Sequence, residues 1–243
     1  MTGGTAQLLL LGGIVGVGAC VQWLTGMGFA LVTVPALALL LGPLQGVALA
    51  NCAAGAISAA GLVGGWRRVR LTAMVPLVIA SACTVPAGRW VAAQLPHRVL
   101  LVGMGLLLTS AVLLVMRGLR VSALAGSKGA VAAGAAGGFM NASAGLGGPP
   151  LSLYAVNADW PMHEFVPNAQ FYGVVVNAFS IAANGVPQLG SAGWVTAGVA
   201  VSVGAVFGKA LAPRVSNKQA RQFVLLLALA GGLSSLAKGL RML

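Results

Sequence analysis

Long apolar runs separated by short polar segments make up almost the whole chain. Runs of about 20 apolar residues are long enough to cross a bilayer as helices. The chain lacks the ten-residue alternation of apolar and polar positions that predicts membrane barrel strands. The pattern predicts ten helical segments: 7–24, 28–41, 44–64, 72–92, 98–116, 129–145, 148–156, 165–186, 192–212 and 222–240.

Two of these segments, 28–41 and 148–156, are too short to cross about 30 Å of hydrocarbon comfortably. Each follows a glycine-containing break, at residues 26–29 (GMGF) and at residues 145–150 (GLGGPP). We predict that both are half-helices, either in re-entrant hairpins or as the second limb of a broken helix. Broken helices at matching positions in two halves are typical of secondary transporters, and they indicate where the substrate binds.

The two halves of the chain match each other at a nearly constant spacing, although similarity outside the matching positions is weak. The matches are Gly28 with Gly148 and Gly88-Arg89 with Gly208-Lys209 at 120 residues, and Asn51 with Gln170 and Ser58 with Asn177 at 119 residues. This spacing predicts a duplication, with one transmembrane repeat at 1–124 and a second at 125–243. The predicted fold class is all-α: a polytopic helical membrane protein in which each repeat contains a broken or re-entrant helix pair.

The composition places the protein in the membrane. Hydrophobic residues make up 58% of the chain and charged residues 7%, whereas soluble proteins average about 25% charged residues. The two acidic residues, Asp159 and Glu164, lie in one short loop. A carboxylate relay of the kind used by proton and cation pumps therefore has no residues to form it, which favours an anion as cargo.

No metal site and no cofactor are predicted. The three cysteines, Cys20, Cys52 and Cys83, lie far apart in apolar segments and show no metal-binding spacing. We interpret them as small packing residues.

The net charge of +12 comes from basic residues in short clusters between apolar runs. This is the pattern of cytoplasmic loops and not of nucleic-acid binding. If the three densest clusters are cytoplasmic, each broken pair returns to its starting side and the two repeats are inverted; a parallel repeat is the alternative. The residues placed on the cytoplasmic side are Arg67, Arg68, Arg70, Arg117, Arg120, Lys128, Lys209, Arg214, Lys218 and Arg221.

Paired polar residues inside apolar helices mark a candidate site. Asn51 and Ser58 are seven residues apart, about two helical turns, so they share one helix face. Gln170 and Asn177 have the same spacing in the second half. Polar side chains are costly in lipid and should face the bundle interior. There they either hold helices together or line a central cavity with hydrogen-bond donors, and the sequence leaves both interpretations open.

The glycine breaks predict the rest of this site, unless they are only packing kinks. A half-helix that begins inside the membrane presents free backbone N–H groups and a partial positive charge, which suits an anion. Pro149 and Pro150 fit the first turn of such a helix, and glycines allow close approach of a ligand. The predicted substrate-binding residues are Gly26, Gly28, Asn51, Ser58, Asn141, Ser143, Gly147, Gly148, Gln170 and Asn177.

Arg89 and Lys209 occupy matching positions near predicted helix ends. One interpretation is that both side chains extend to the membrane interface. The other is that each lies at one mouth of the pathway and attracts anions.

Three motifs carry a resemblance to a known family. They are the Gly-x-Gly and the proline-containing stretch at 26–35, its counterpart at 145–150, and the basic loop at 66–70 (WRRVR). With these motifs the chain resembles the sulfite exporter TauE/SafE family over nearly its whole length. The resemblance implies a permease of the bacterial plasma membrane whose cargo is sulfite, organosulfonates or related sulfur oxyanions. Met27 and Phe29 depart from the glycine-rich motif, and Asn51 stands where serine is common.

The predicted function is secondary transport, not catalysis: export of a small anion, above all sulfite or an organosulfonate, by alternating access. A permease for a small carboxylate or another non-sulfur solute is the first alternative. The remote alternative is an intramembrane hydrolase with Ser143 as nucleophile, which would need a general base within hydrogen-bond reach. The expected partners are the anionic substrate and the lipid bilayer, with a homodimer as a further arrangement and no nucleic acid.

Overall fold

The computed structural model describes residues 2–26, 28–117 and 126–242. Met27, in the first break, and Arg120, in a predicted basic loop, lie outside the described residues, as does the predicted repeat boundary at 124/125. The described helices are α1 (Thr2–Thr25), α2 (Phe29–Leu41), α3 (Pro43–Leu62), α4 (Leu71–Gln94), α5 (His97–Arg117), α6 (Gly126–Ala144), α7 (Gly148–Asn157), α8 (Met162–Asn184), α9 (Ser191–Leu211) and α10 (Asn217–Arg241), with a short 3-10 turn at Trp66–Arg68.

Each of the ten predicted segments corresponds to one of these helices, and the all-α polytopic fold class is confirmed. Among the described residues, six helices are long and apolar enough to cross a membrane: α1, α3, α4, α5, α9 and α10. Large apolar side chains on the outer faces of α4 and α9 are exposed, as expected for surfaces in contact with lipid; examples are Ile79, Val195 and Phe207.

Both short helices fold back along the helix that precedes them. The chain turns at Gly26 with φ of 75° and at Gly145 with φ of 68°, a backbone conformation that favours glycine. After the first turn α2 returns beside α1, so a Cβ atom on Gly18 would collide with Thr33. After the second turn α7 returns beside α6, and the Gly147 carbonyl oxygen just before α7 would lie 3.3 Å from a Cβ atom on Gly137. The breaks are therefore hairpins, one of the two forms expected from the sequence.

Corresponding helices of the two halves pack against each other in opposite directions. Along α3 and α8, Gly55 meets Asn177 and Gly61 meets Gln170, so the numbering rises on α3 as it falls on α8. The helices α5 and α10 are also antiparallel. Gly105 lies against the Gly232 carbonyl, and Gly239 lies against Val102.

The first helix of each half packs against the fourth helix of the other half, and these pairs are parallel. At the α4–α6 contact, Gly134 lies against Leu77 and Gly138 lies against Ser81. At the α1–α9 contact, Gly204 lies against the Gly16 carbonyl. Glycines permit this backbone contact between helices. The two halves are thus interlocked, and the breaks lie between them.

Candidate functional site

A cavity of about 750 Å³ lies between the two breaks. Seven of the predicted substrate-binding residues line it: Gly26, Gly28, Ser58, Asn141, Gly147, Gly148 and Asn177. None of the described lining residues carries a charge. The polar groups are amides, hydroxyls and backbone, while Val112, Phe165 and Leu225 form part of the apolar wall.

The cavity opens at one end of the helix bundle. Met116, Val156 and Met162 line it and are 52%, 39% and 53% exposed. They lie at or near the end of α5, the end of α7 and the start of α8. The same end of the bundle carries the basic loop that follows α3, because Arg70 forms a 2.8 Å ion pair with Glu164 on α8.

A glutamine on α1 organises the first break. The side-chain oxygen of Gln22 accepts a hydrogen bond from the Phe29 backbone N–H (3.3 Å) at the start of α2. Its amide nitrogen donates to the Ser58 hydroxyl (3.0 Å) and lies 3.5 Å from the Gln170 side-chain oxygen. Gln170 in turn donates to the Gly26 carbonyl (2.9 Å). The side chain of Gln22 is buried and lines the cavity.

An asparagine on α6 organises the second break in the same manner. The side-chain oxygen of Asn141 accepts a hydrogen bond from the Gly147 backbone N–H (3.1 Å), just before α7 begins. Its amide nitrogen donates to Asn177 (3.1 Å) and to Ser180 (2.8 Å). Pro149 lies in the first turn of α7, as expected.

Gln22 was not among the residues predicted from the sequence, although a signal for it exists. It precedes Asn141 by 119 residues, the same spacing that relates Ser58 to Asn177. Each of the two amides bridges the start of a short helix and a polar residue on the third helix of its half. The sequence identifies Gln22 as a candidate only when the 119-residue offset between the halves is applied to it.

The remaining predicted binding residues lie outside this cavity. Ser143 donates to the Phe139 carbonyl on its own helix (2.7 Å). Asn51 is 1% exposed, and its amide nitrogen has no hydrogen-bond partner among the described residues. Gln170 lines a neighbouring cavity instead.

This neighbouring cavity has a volume of about 490 Å³ and shares Gln22 and Gly26 with the central one. Arg68 and His163 also line it. Because both side chains are exposed, we interpret this second cavity as a solvated vestibule at the basic end of the bundle.

Arg89 and Lys209 line neither of these cavities. Arg89 is partly buried near the end of α4, and Lys209 is exposed near the end of α9. The end of α1 lies near the start of α8, where Gly26 meets Val166, and the end of α6 lies near the end of α8, where Asn184 donates to the Ala142 carbonyl. Since α9 is parallel to α1 and α4 is parallel to α6, Lys209 and Arg89 lie toward opposite ends of the bundle. Their role at pathway mouths stays a prediction.

Apolar helices of membrane-spanning length, two hairpin breaks and an uncharged cavity open at one end define a class, the polytopic membrane transporters. No metal-binding cluster of His, Cys, Asp or Glu occurs among the described residues. The model of the family described as Sulfite exporter TauE/SafE matches residues 9–235 of this chain. The chain belongs to this family of membrane transporters of sulfur anions such as sulfite, which confirms the resemblance stated from the sequence.

Searches of the curated proteins and of the solved structures return no match to the chain.

Proposed function

We propose that the protein exports a small sulfur oxyanion, sulfite or an organosulfonate, across the bacterial plasma membrane by alternating access. The observation that carries the proposal is the uncharged cavity between the two hairpin breaks, open at one end and lined by Ser58, Asn141 and Asn177. The apolar wall beside these groups leaves room for the organic part of a sulfonate.

The starts of α2 and α7 supply the electrostatic attraction for an anion. A helix N-terminus carries a partial positive charge of about half an elementary charge. Both short helices begin at the cavity, which is lined by Gly28, just before α2, and by Gly148, the first residue of α7. Gln22 and Asn141 accept hydrogen bonds from the backbone N–H groups beside these starts. We infer that an anion oxygen competes with these two amide oxygens for the same donors.

Inverted repeats support alternating access. The third helices of the two halves, α3 and α8, correspond by the 119-residue offset and pack antiparallel. Two equivalent antiparallel helices are related by a two-fold axis perpendicular to them, which lies in the plane of the membrane. A transporter with this symmetry has two conformations in which the halves exchange roles and the cavity opens at opposite ends.

The open end faces the cytoplasm in this proposal. Arg67, Arg68 and Arg70 lie in the loop at the open end, and cytoplasmic loops carry an excess of basic residues. An anion entering from the cytoplasm would be driven outward by a negative-inside membrane potential. The first alternative cargo is a small carboxylate, because helix N-termini recognise charge and size, not sulfur. The transport test below therefore includes a carboxylate.

The charge of the cargo should be limited by the uncharged lining. The cost of moving an ion out of water rises with the square of its charge, so a dianion loses about four times as much hydration free energy as a monoanion of equal size. No lysine or arginine among the described lining residues compensates for this loss. We therefore expect hydrogen sulfite and sulfonates to be carried in preference to sulfate.

The test is counterflow of labelled anions in proteoliposomes made with the purified full chain. The panel contains sulfite, methanesulfonate, benzenesulfonate, sulfate and acetate, with protein-free vesicles as the blank. We expect saturable exchange of the sulfur monoanions and at least tenfold slower exchange of sulfate. Exchange of acetate without exchange of any sulfur oxyanion would establish the carboxylate alternative, and no exchange of either would overturn the proposal.

A further inference from the structure

The two breaks are similar in arrangement but differ in the hydrogen bond to the carbonyl of the turn glycine. In the first break, the Gln170 amide nitrogen donates to the Gly26 carbonyl (2.9 Å). The 119-residue offset relates Gly26 to Gly145, and both glycines have positive φ. The same offset relates Gln170 to Asn51. Symmetry therefore predicts a hydrogen bond from Asn51 to the Gly145 carbonyl, and it is not among the bonds of the described residues.

Asn51 is instead an unpartnered buried donor. Its side chain is 1% exposed, and its amide nitrogen has no hydrogen-bond partner among residues 2–26, 28–117 and 126–242. The great majority of buried polar groups in native proteins are hydrogen-bonded, so each exception requires an explanation. The unmade bond destabilises the present conformation relative to one in which Asn51 is paired.

The amides on the first helices differ in the same sense. In the first break, Gln22 lies 3.5 Å from Gln170. In the second break, the equivalent Asn141 donates to Ser180 (2.8 Å). The amide of Gln22 thus contacts Gln170, the residue that holds the Gly26 carbonyl, whereas the amide of Asn141 is bonded to Ser180. The first break, where Gly26 meets Val166 near the start of α8, is the one toward the open end of the cavity.

We propose that Gln170 and Asn51 are alternating latches of the two hairpin breaks. Gln170 holds the Gly26 carbonyl while the cavity is open at the basic end. Asn51 holds the Gly145 carbonyl when the cavity opens at the opposite end, and Gln170 then releases its glycine. The inference rests on the proposed alternating access but not on the identity of the cargo. Both are positioning residues, since neither lines the central cavity.

The test measures conformation through the accessibility of one cysteine. Ser152 lines the cavity on α7, so Ser152→Cys is introduced after Cys20, Cys52 and Cys83 are replaced by alanine. A membrane-impermeant cationic thiol reagent is added from the basic-loop side, in inverted membrane vesicles. We expect Gln170→Leu to slow labelling, because the latch that holds the open end is lost.

Asn51→Leu should have the opposite effect. It removes the unpartnered donor and with it the cost of the present conformation. We expect labelling to be as fast as in the parent or faster. We also expect the exchange rate in proteoliposomes to fall by about 5- to 150-fold, because a buried unmade bond costs about 1–3 kcal/mol at 1.4 kcal/mol per factor of ten.

Ser235→Ala is the matched control. Ser235 is also 1% exposed with an unpartnered hydroxyl, but it lies on α10 away from both breaks. We expect this variant to raise thermal stability and to leave labelling and exchange unchanged. Equal slowing of exchange by Ser235→Ala and Asn51→Leu would overturn the latch, because the effect would then be general stiffening.

The labelling result decides the inference even if the variants differ in yield. Unchanged labelling in folded Gln170→Leu protein would show that the glutamine only holds helices together, and the proposal would be wrong. Should Asn51→Leu fail to assemble, Asn51→Ala provides the same loss of the donor. Because labelling needs no substrate, it tests the latch even if the protein does not transport sulfur anions.

Discussion

Alanine at Gly147 tests whether the close packing around Asn141 determines the function of the second break. Gly147 has φ of −71° and ψ of −18°, which an alanine adopts without strain. A Cβ atom there would lie 2.8 Å from the Asn141 side-chain oxygen and 3.0 Å from its Cβ atom. The asparagine must therefore move by several tenths of an ångström, while the backbone conformation stays allowed.

The magnitude follows from the bonds that this shift disturbs. Asn141 accepts from Gly147 (3.1 Å) and donates to Asn177 (3.1 Å) and Ser180 (2.8 Å). A buried hydrogen bond contributes about 0.5–1.5 kcal/mol net, so losing all three would cost about 1.5–4.5 kcal/mol and weakening them costs less than that. Replacing glycine by alanine at a position whose φ and ψ alanine can adopt stabilises the fold by up to about 1 kcal/mol, because the unfolded chain loses conformational freedom. The net loss of about 1–3 kcal/mol corresponds to a 5- to 150-fold change in an equilibrium constant.

The assay combines counterflow kinetics with thermal unfolding in detergent. We expect Gly147→Ala to raise the KM for the transported anion by about 5- to 150-fold and to lower the Tm. Gly198→Ala is the matched control, because a Cβ atom on Gly198 would have no neighbour within 4 Å. That variant should transport normally and unfold at an unchanged or higher temperature. Wild-type KM and Tm in Gly147→Ala would refute the reasoning.

Two further predictions concern the fold. Gly138→Ala should lower the Tm by several degrees, because its Cβ would lie 2.6 Å from the Ser81 Cα atom and overpacking costs about 1–3 kcal/mol. The control Gly103→Ala should leave the Tm unchanged, because a Cβ atom on Gly103 would have no neighbour within 4 Å. Equal Tm values for the two variants would contradict the tight α4–α6 contact. Cysteines introduced at Gly64 and Gln188 should be labelled from opposite sides of the membrane. Gly64 follows the end of α3 and Gln188 follows the end of α8, and these two helices are antiparallel. Labelling of both cysteines from one side would contradict the inverted arrangement.

The sequence predicts the helices well because hydrophobicity alone determines which segments enter a bilayer. The ten segments and both breaks follow from apolar runs and glycines. The direction of α2 and α7 after the breaks does not follow from them. It depends on the contact of Gly18 with Thr33 and of Gly137 with the second break, which are tertiary contacts between residues without a distinctive local pattern.

The site is predicted only in part, for a related reason. Spacing indicates which polar residues share a helix face, and in the structure Ser58 and Asn177 line one cavity. It cannot distinguish them from Asn51 and Gln170 on the same faces, because depth along the helix decides which residue reaches the cavity. Gln22 was missed because the residues seven positions away from it, Val15 and Phe29, are both apolar.

The uncharged lining has a consequence for turnover as well as for selectivity. A buried lysine or arginine would bind an anion strongly, since an ion pair in a low-dielectric site exceeds the strength of a neutral hydrogen bond. A transporter must release its cargo at the opposite end, so tight binding slows the cycle. Here Gln22 and Asn141 occupy the backbone donors beside the starts of the short helices. In the proposed cycle these amides return to the same donors when the anion leaves, so that release would replace one hydrogen bond by another and leave no buried charge unpaired.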